Sequence, residues 1–219
     1  ISDSLKFRVS ASRKTRFPTL KELFSTNSGN PELGPMKANI LEGGFDYRAL
    51  KNVSFSATVF YNDIKGLISR TGKYDPYINI DHAIFKGFEL EMYWQFRTGS
   101  GFSLAYTHLR AEDKTNGTNQ YIEHRPRHKF DFNFNFKLPF RSRLDVFGSY
   151  VSKQFYYDDE NELTLDPYYL VDLKLNKDLG DNVNIYIKVH NLFDANYYES
   201  EGYPREGRMI FAGFRFGIR

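Results

Sequence analysis

Residues 127–138, RHKFDFNFNFKL, constrain this chain more than any other stretch. Phe130, Phe132, Phe134, Phe136 and Leu138 fall on one face of an extended strand, and Lys129, Asp131, Asn133, Asn135 and Lys137 on the other. Successive side chains of a strand point to opposite sides, so this is a period of two with hardly a fault. One face is wholly apolar; the other is charged or amide. A strand of a soluble sandwich also alternates, but it rarely spends four phenylalanines in seven residues on one face. A strand with hydrocarbon outside and water inside has this pattern.

Composition decides which membrane class remains open. Mean hydropathy is −0.56, and no stretch approaches the roughly 20 apolar residues of a membrane helix. A helical membrane protein is thereby excluded. A β-barrel is not, because its lumen and loops are polar and each strand needs only about 9–11 residues. Aromatics make up 17% of the 219 residues, with 21 Phe and 16 Tyr, which is high for an ordinary domain. The chain has no cysteine, so it has no disulfides or thiolate metal sites. A net charge of +3 gives no argument for nucleic acid, and no nucleic-acid partner is expected. No signal peptide is visible at Ile1. The expectation is a mature chain that starts here or the later part of something longer.

The alternation recurs along the chain. Strands are expected near Leu5, Phe7, Val9 and Ala11; over 38–49; from Val53 to Asn62; from Gly87 to Phe96; and from Phe102 to Tyr106. The opening strand follows, then Leu144 to Tyr150, Tyr169 to Asn176, Val183 to His190, and Ile210 to Ile218. A short helical turn fits 19–24, where Leu20, Leu23 and Phe24 share a face. Long loops are expected at 13–37, 65–83, 110–126, 153–167 and 191–208, marked by residues such as Pro18, Gly29, Gly72 and Pro76. Tight turns are expected at 50–52, 98–101, 139–142 and 178–182. Long and short connections alternate strictly. In an up-and-down meander this puts all long loops at one end, as in outer-membrane barrels. The expected fold is all-β: a transmembrane antiparallel up-and-down β-barrel with residues 1–219 forming one unit. The alternative is a soluble sandwich, whose apolar faces would bury each other.

Four stretches carry a family resemblance. They are RFPTLKELF followed by GNPELGP (16–24, 29–35); EGGF leading to FYNDIKGLI (42–45, 60–68); YINI with GFELE (77–80, 87–91); and NLFDANY, then GYP and GR (191–197, 202–204, 207–208). In this order and spacing the chain resembles the C-terminal part of a TonB-dependent outer-membrane receptor, over essentially its whole length. The resemblance implies a 22-stranded barrel filled by an N-terminal plug. About ten later strands would lie here, with the plug, TonB box and earlier strands absent. It also implies the outer membrane of a Gram-negative bacterium, contact with outer-membrane lipid, and energy from TonB through the missing plug. Such barrels usually end in an aromatic residue, whereas this chain ends at Arg219.

Candidate ligand-binding residues lie in or beside the long loops: Tyr121, Arg125, Arg127, Tyr156, Tyr157, Tyr197, Tyr198, Tyr203 and Arg205. Tyrosine offers apolar area plus a hydroxyl and arginine a planar cation, which suits a bulky, polar, often anionic chelate. Interfacial aromatic girdles explain some of the tyrosines equally well. Asn30, Pro31, Gly34 and Pro35 read as a rigid loop, and Asn191 and Asp194 as turn closers.

No metal site is expected. His82, His108, His124, His128 and His190 lack zinc spacing, since Pro126 breaks any helix between His124 and His128. They read as rim or lumen groups. The acidic run Asp158, Asp159, Glu160 and Glu162 lacks the glycine and spacing of a calcium loop. Glu89 and Glu91 share a strand face and are expected to meet arginines or the plug. No catalytic residue and no cofactor are expected.

The expected function is TonB-dependent uptake of a scarce bulky ligand, an iron–siderophore or similar metal chelate. Cobalamin or haem is the alternative of the same family. Outside the family stand a ten-stranded outer-membrane protease and a passive pore.

Overall fold

The computed structural model describes residues 4–70, 75–96, 98–117, 120–158 and 161–217. Gly72, Asp159, Glu160, Ile218, Arg219 and the side chain of Asp158, all named above, lie outside the described residues. In chain order the elements are β1 (Leu5–Arg16), α1 (Leu20–Phe24), β2 (Met36–Leu50), β3 (Val53–Ser69), β4 (Ile78–Gln95) and β5 (Gly101–Asp113). A 3₁₀ turn (Thr115–Gly117), β6 (His128–Leu138), β7 (Ser142–Val151), β8 (Gln154–Asp158) and β9 (Asn161–Leu165) follow. The chain continues through β10 (Tyr168–Asp178), β11 (Val183–His190), β12 (Tyr198–Ser200), β13 (Tyr203–Pro204) and β14 (Met209–Phe216).

Ten strands form one sheet in the order β1-β2-β3-β4-β5-β6-β7-β10-β11-β14, every pair antiparallel. The remaining strands make two hairpins, β8–β9 and β12–β13, inserted in loops. Register carries the alternation from strand to strand. One apolar row runs Phe7, Phe45, Ala57, Leu90, Tyr106, Phe130, Tyr150 and Tyr169. Another runs Phe136, Leu144, Leu175, Ile187 and Ala212. Paired residues share a face, so a slip of one residue in any strand would break the row that it carries.

Two observations decide between barrel wall and sandwich. First, the apolar face is uncovered: mid-sheet Val59 is 61% exposed and Ile187 53%. Among the described residues no second sheet packs on it. Second, the other face is polar and internally paired. Arg8 meets Asp46 at 2.6 Å, Ser56 donates to Glu91 at 3.2 Å, Asn176 donates to Asp145 at 3.0 Å, and Lys188 meets Asp172 at 3.1 Å. A wall with lipid outside and water inside has this division. Trp94 packs on Phe96 and Phe102 at the tight-turn end, with ring centroids 5.0 and 5.7 Å apart. Tyr150 stacks on Tyr169 toward the loop end at 4.7 Å. Aromatic girdles of this kind mark the two membrane interfaces. Two glycines make room for rings. A Cβ on Gly148 would lie 2.1 Å from the Phe132 ring, and one on Gly213 would lie 2.6 Å from the Tyr186 hydroxyl.

The connections alternate as expected, with tight turns at 51–52, 96–100, 139–141 and 179–182 all at one end. The expected loop 65–83 is corrected, however: β3 and β4 continue their ladder through Lys65–His82, Leu67–Ile80 and Ser69–Ile78, leaving only 70–77 between them. Gly66, with φ +66, interrupts the side-chain alternation without shifting the register. β1, β2 and β5 likewise run past their expected ends. The helical turn forms as α1, closed by a capping box between Thr19 and Glu22. Its shared apolar face is not buried, since Leu20 is 77% and Phe24 67% exposed.

Candidate functional site

The long-loop end collects most of the residues singled out above, in two groups. The first lies on segment 114–127, the start of β6 and hairpin β8–β9. The Arg127 guanidinium sits 4.0 Å from the centroid of the Tyr121 ring and 5.4 Å from that of Phe155, and those two rings stack at 5.2 Å. An arginine over an aromatic face gains from both charge and planarity. Tyr121 and Arg127 are therefore engaged in fastening β8 to the preceding segment. Phe155, the third member, was not singled out from the sequence. Tyr156 stacks on His124, with interplanar angle 8°. The Tyr157 backbone N–H donates to Glu123 Oε1 at 2.6 Å, and its hydroxyl donates to Glu162 at 3.2 Å. Arg125 is exposed and donates to the His124 carbonyl at 3.2 Å.

The second group lies on 191–208. Tyr197 is buried and tilts against Tyr168 at 4.7 Å. Tyr198 and Tyr203 are exposed. Arg205 lies between Glu199 (3.3 Å) and Glu206 (3.7 Å) and donates its backbone N–H to the Tyr197 carbonyl. His124 reaches Glu201 at 3.4 Å and so joins the two groups. Of the sequence-chosen residues, Arg125, Tyr198, Tyr203 and Arg205 are exposed, whereas Tyr197 belongs to the packing.

Burial governs the titration of this rim. It pushes the Glu123 carboxyl up to about 7, with Glu201 and Asp75 adding repulsion against the steadying Tyr157 N–H. Burial also lowers His124, outweighing the pull of Glu201, and Arg125 and Arg70 lower it further. The Tyr157 hydroxyl is raised to about 12 by burial and by Glu162. Glu123 escaped the sequence reading because a lone Glu in a polar loop carries no pattern.

Asparagines brace the loops. Asn191, 1% exposed, exchanges side-chain bonds with both backbone groups: Nδ2 donates to the Ala195 and Glu206 carbonyls, and Oδ1 accepts the Ala195 N–H. Asp194 Oδ1 accepts the Arg208 N–H at 2.7 Å. Asn79 ties Gly34 and Gly66 together, and Asn30 donates to the Tyr77 carbonyl. The structural reading of Asn30, Asn191 and Asp194 is the one observed. Glu91 is held by Ser56 and not by an arginine. Among the described residues no three His, Asp or Glu side chains come together as metal ligands. His108 and His128 face each other at 3.5 Å. By register they share the outward face with Phe88 and Tyr106, so these two are not lumen groups.

Comparison with known proteins agrees with this architecture. Residues 1–192 match the model of the TonB dependent receptor-like β-barrel family; the chain belongs to that family, and its place is the outer membrane of a Gram-negative bacterium. It is 29% identical to the vitamin B12 transporter BtuB of Photobacterium profundum, covering 97% of this chain and 35% of BtuB. It is 25% identical to the iron-regulated outer membrane virulence protein of Vibrio cholerae, covering 84% of this chain and 31% of that protein. The ferric enterobactin receptor PfeA of Pseudomonas aeruginosa shares the fold at TM-score 0.78 and 17% identity, over 99% of this chain and 38% of PfeA. The chain thus spans about a third of the length of the curated relatives it matches. By name, BtuB is a transporter and PfeA a receptor.

Proposed function

We propose that residues 1–219 are the C-terminal portion of the barrel of a receptor that takes up a scarce bulky metal chelate, a ferric siderophore. In this reading the loop rim captures the ligand, the polar inner face lines its passage, and a plug outside this chain gates it with energy from TonB. The observation that carries the reading is the rim itself. Exposed Arg125, Tyr198 and Tyr203 stand on loops braced by Asn191, His124–Glu201 and the Tyr121–Arg127–Phe155 stack. Planar cations and phenol rings suit an anionic ferric catecholate complex. A second reading, cobalamin, is supported by the 29% identity to BtuB.

The test uses the full-length receptor in cells and in detergent. Ferric siderophores and cyanocobalamin are titrated separately, and uptake of each is followed. A triple variant (Arg125→Ala, Tyr198→Ala, Tyr203→Ala) is expected to bind ferric siderophore roughly tenfold or more weakly, in the range of a few interfacial contacts. Binding of cyanocobalamin with no siderophore binding overturns the first reading in favour of the second. Unchanged binding and uptake in the variant overturns both.

A further inference from the structure

The outward face of β1–β5 changes character toward the loops, one register row earlier on β4 and β5, where Lys86 lies opposite Tyr61, than on β1–β3. Reading away from the tight turns, β1 presents Leu5, Phe7, Val9 and Ala11, then Arg13. β2 presents Tyr47, Phe45, Gly43 and Leu41, then Asn39 and Lys37. β3 presents Phe55, Ala57, Val59 and Tyr61, then Asp63 and Lys65. β4 presents Trp94, Met92, Leu90 and Phe88, then Lys86, and β5 presents Phe102, Leu104, Tyr106 and His108, then Arg110. Four outward positions cover roughly 25 Å of strand, of the same order as the apolar band of a barrel. The cations therefore begin where hydrocarbon ends, at the loop-side interface.

Register sets these cations side by side. Lys37 pairs with Lys65, and Lys86 with Arg110. Like charges directly opposite one another destabilise a sheet. Among the described residues of β1–β5, two carboxylates share this face. Asp63 lies 3.3 Å from His82, and buried Glu112 is taken by Arg110 and Lys114. Arg13, Lys37, Lys65 and Lys86 are exposed and have no carboxylate within ion-pair distance among the described residues. The other half of the wall is different. At the same end, β10, β11 and β14 present Tyr169, Val189 and Ile210 outward. The excess of positive charge is confined to one sector.

We propose that this sector, Arg13, Lys37, Lys65 and Lys86 on the outward face of β1–β4, is a binding site for the phosphate groups of outer-leaflet lipid headgroups. Phosphate between paired lysines relieves the repulsion that the register imposes, while the acyl chains lie on Phe88, Tyr61 and Leu41 below. The site holds a particular lipid class against this sector and fixes its height in the membrane. Attraction of this kind is screened by salt.

The full-length receptor is reconstituted in vesicles of phosphatidylcholine, with and without phosphatidic acid as the phosphate-monoester probe. It is then re-extracted, and retained lipid is counted by native mass spectrometry. Wild type is expected to retain phosphatidic acid in preference to phosphatidylcholine. The triple variant Lys37→Gln, Lys65→Gln, Lys86→Gln is expected to lose this preference by roughly fivefold per charge removed, while Lys177→Gln near the tight turns keeps it. Heat-modifiable gel mobility reports that each variant is folded. Equal retention by wild type and triple variant overturns the proposal. So does parallel loss of phosphatidylcholine, which would mean an apolar annulus without headgroup recognition.

Discussion

The two halves of the wall solve the same problem differently. β2, β3 and β4 have 15, 17 and 18 residues, well beyond the length needed to cross a bilayer. β10, β11 and β14 have 11, 8 and 8 and stop near the membrane surface. In the tall half, backbone ladders carry the chain outward, and the apolar cluster of Ala38, Ile64, Ala83, Ala111 and Ile122 packs beside them. In the short half the ladder has ended. Loops there fold as small hairpins whose shape depends on a few side chains: Asn191, Tyr197 on Tyr168, and Arg127 against the stacked Tyr121 and Phe155. External structure built on ladders spreads its stability over many bonds. Structure built on side chains concentrates it.

The largest expected consequence falls on Asn191. Its replacement by Ala leaves the Ala195 N–H and Glu206 carbonyl without their partner in a nearly closed site, and an unsatisfied buried group costs about 1–3 kcal/mol. Ala must also adopt φ +49, which adds about 1 kcal/mol or more. Loop 191–208 should open by a total of about 2–4 kcal/mol, seen as lost hydrogen-exchange protection at Ala195 and faster proteolysis. Asn79→Ala in the tall half removes as many bonds but leaves β3 and β4 paired. Its effect should be smaller. Equal effects would break the contrast.

The same division explains what was legible in the sequence. Strand faces were readable throughout because lipid and water impose a period of two on every strand, most plainly from Phe130 to Phe136. Strand ends were not readable in the tall half. There Asp63, Lys65, His82 and Lys86 replace apolar residues on the outward face while pairing continues, so a loss of greasiness looked like a loop. At the rim, residue type suggested tyrosines and arginines, but it could not separate Tyr197, which packs, from Tyr198, which is exposed. That distinction depends on Tyr168, a neighbour brought close only by folding. Glu123 and Phe155 owe their roles wholly to such neighbours.

A middle-sized effect is expected from pH. The Glu123 carboxyl, held at about 7, accepts the Tyr157 N–H that fastens β8–β9. Its folded value lies above the ordinary carboxyl value, so the folded state holds the proton more tightly. Stability of the hairpin is full below the ordinary carboxyl range, falls as pH rises through about 7, and then levels off. Exchange of the Tyr157 amide, corrected for intrinsic rate, should rise by less than about tenfold between about pH 5 and pH 8, because solvent screens the half-buried group. Glu123→Gln keeps the acceptor without the charge and should flatten the profile. A profile that keeps its slope in the variant would remove Glu123 as its source, and the lowered His124, whose contribution to stability rises with pH, would not replace it.

The smallest effect tests whether a loop in the tall half matters to the wall at all. Thr19 caps α1: its hydroxyl accepts the Glu22 N–H at 3.3 Å, and the Glu22 carboxylate accepts the Thr19 N–H at 2.7 Å and holds Arg16 at 3.0 Å. Loss of such a cap costs about 1 kcal/mol. Thr19→Ala should therefore fray α1, raising exchange at Glu22 and Leu23 about fivefold. It should leave the β1–β2 ladder and the thermal midpoint of the receptor unmoved, because Leu20 and Phe24 pack on nothing that the wall needs. A shift of the midpoint would mean that the loops of the tall half are coupled to its ladders, as those of the short half are to their side-chain braces.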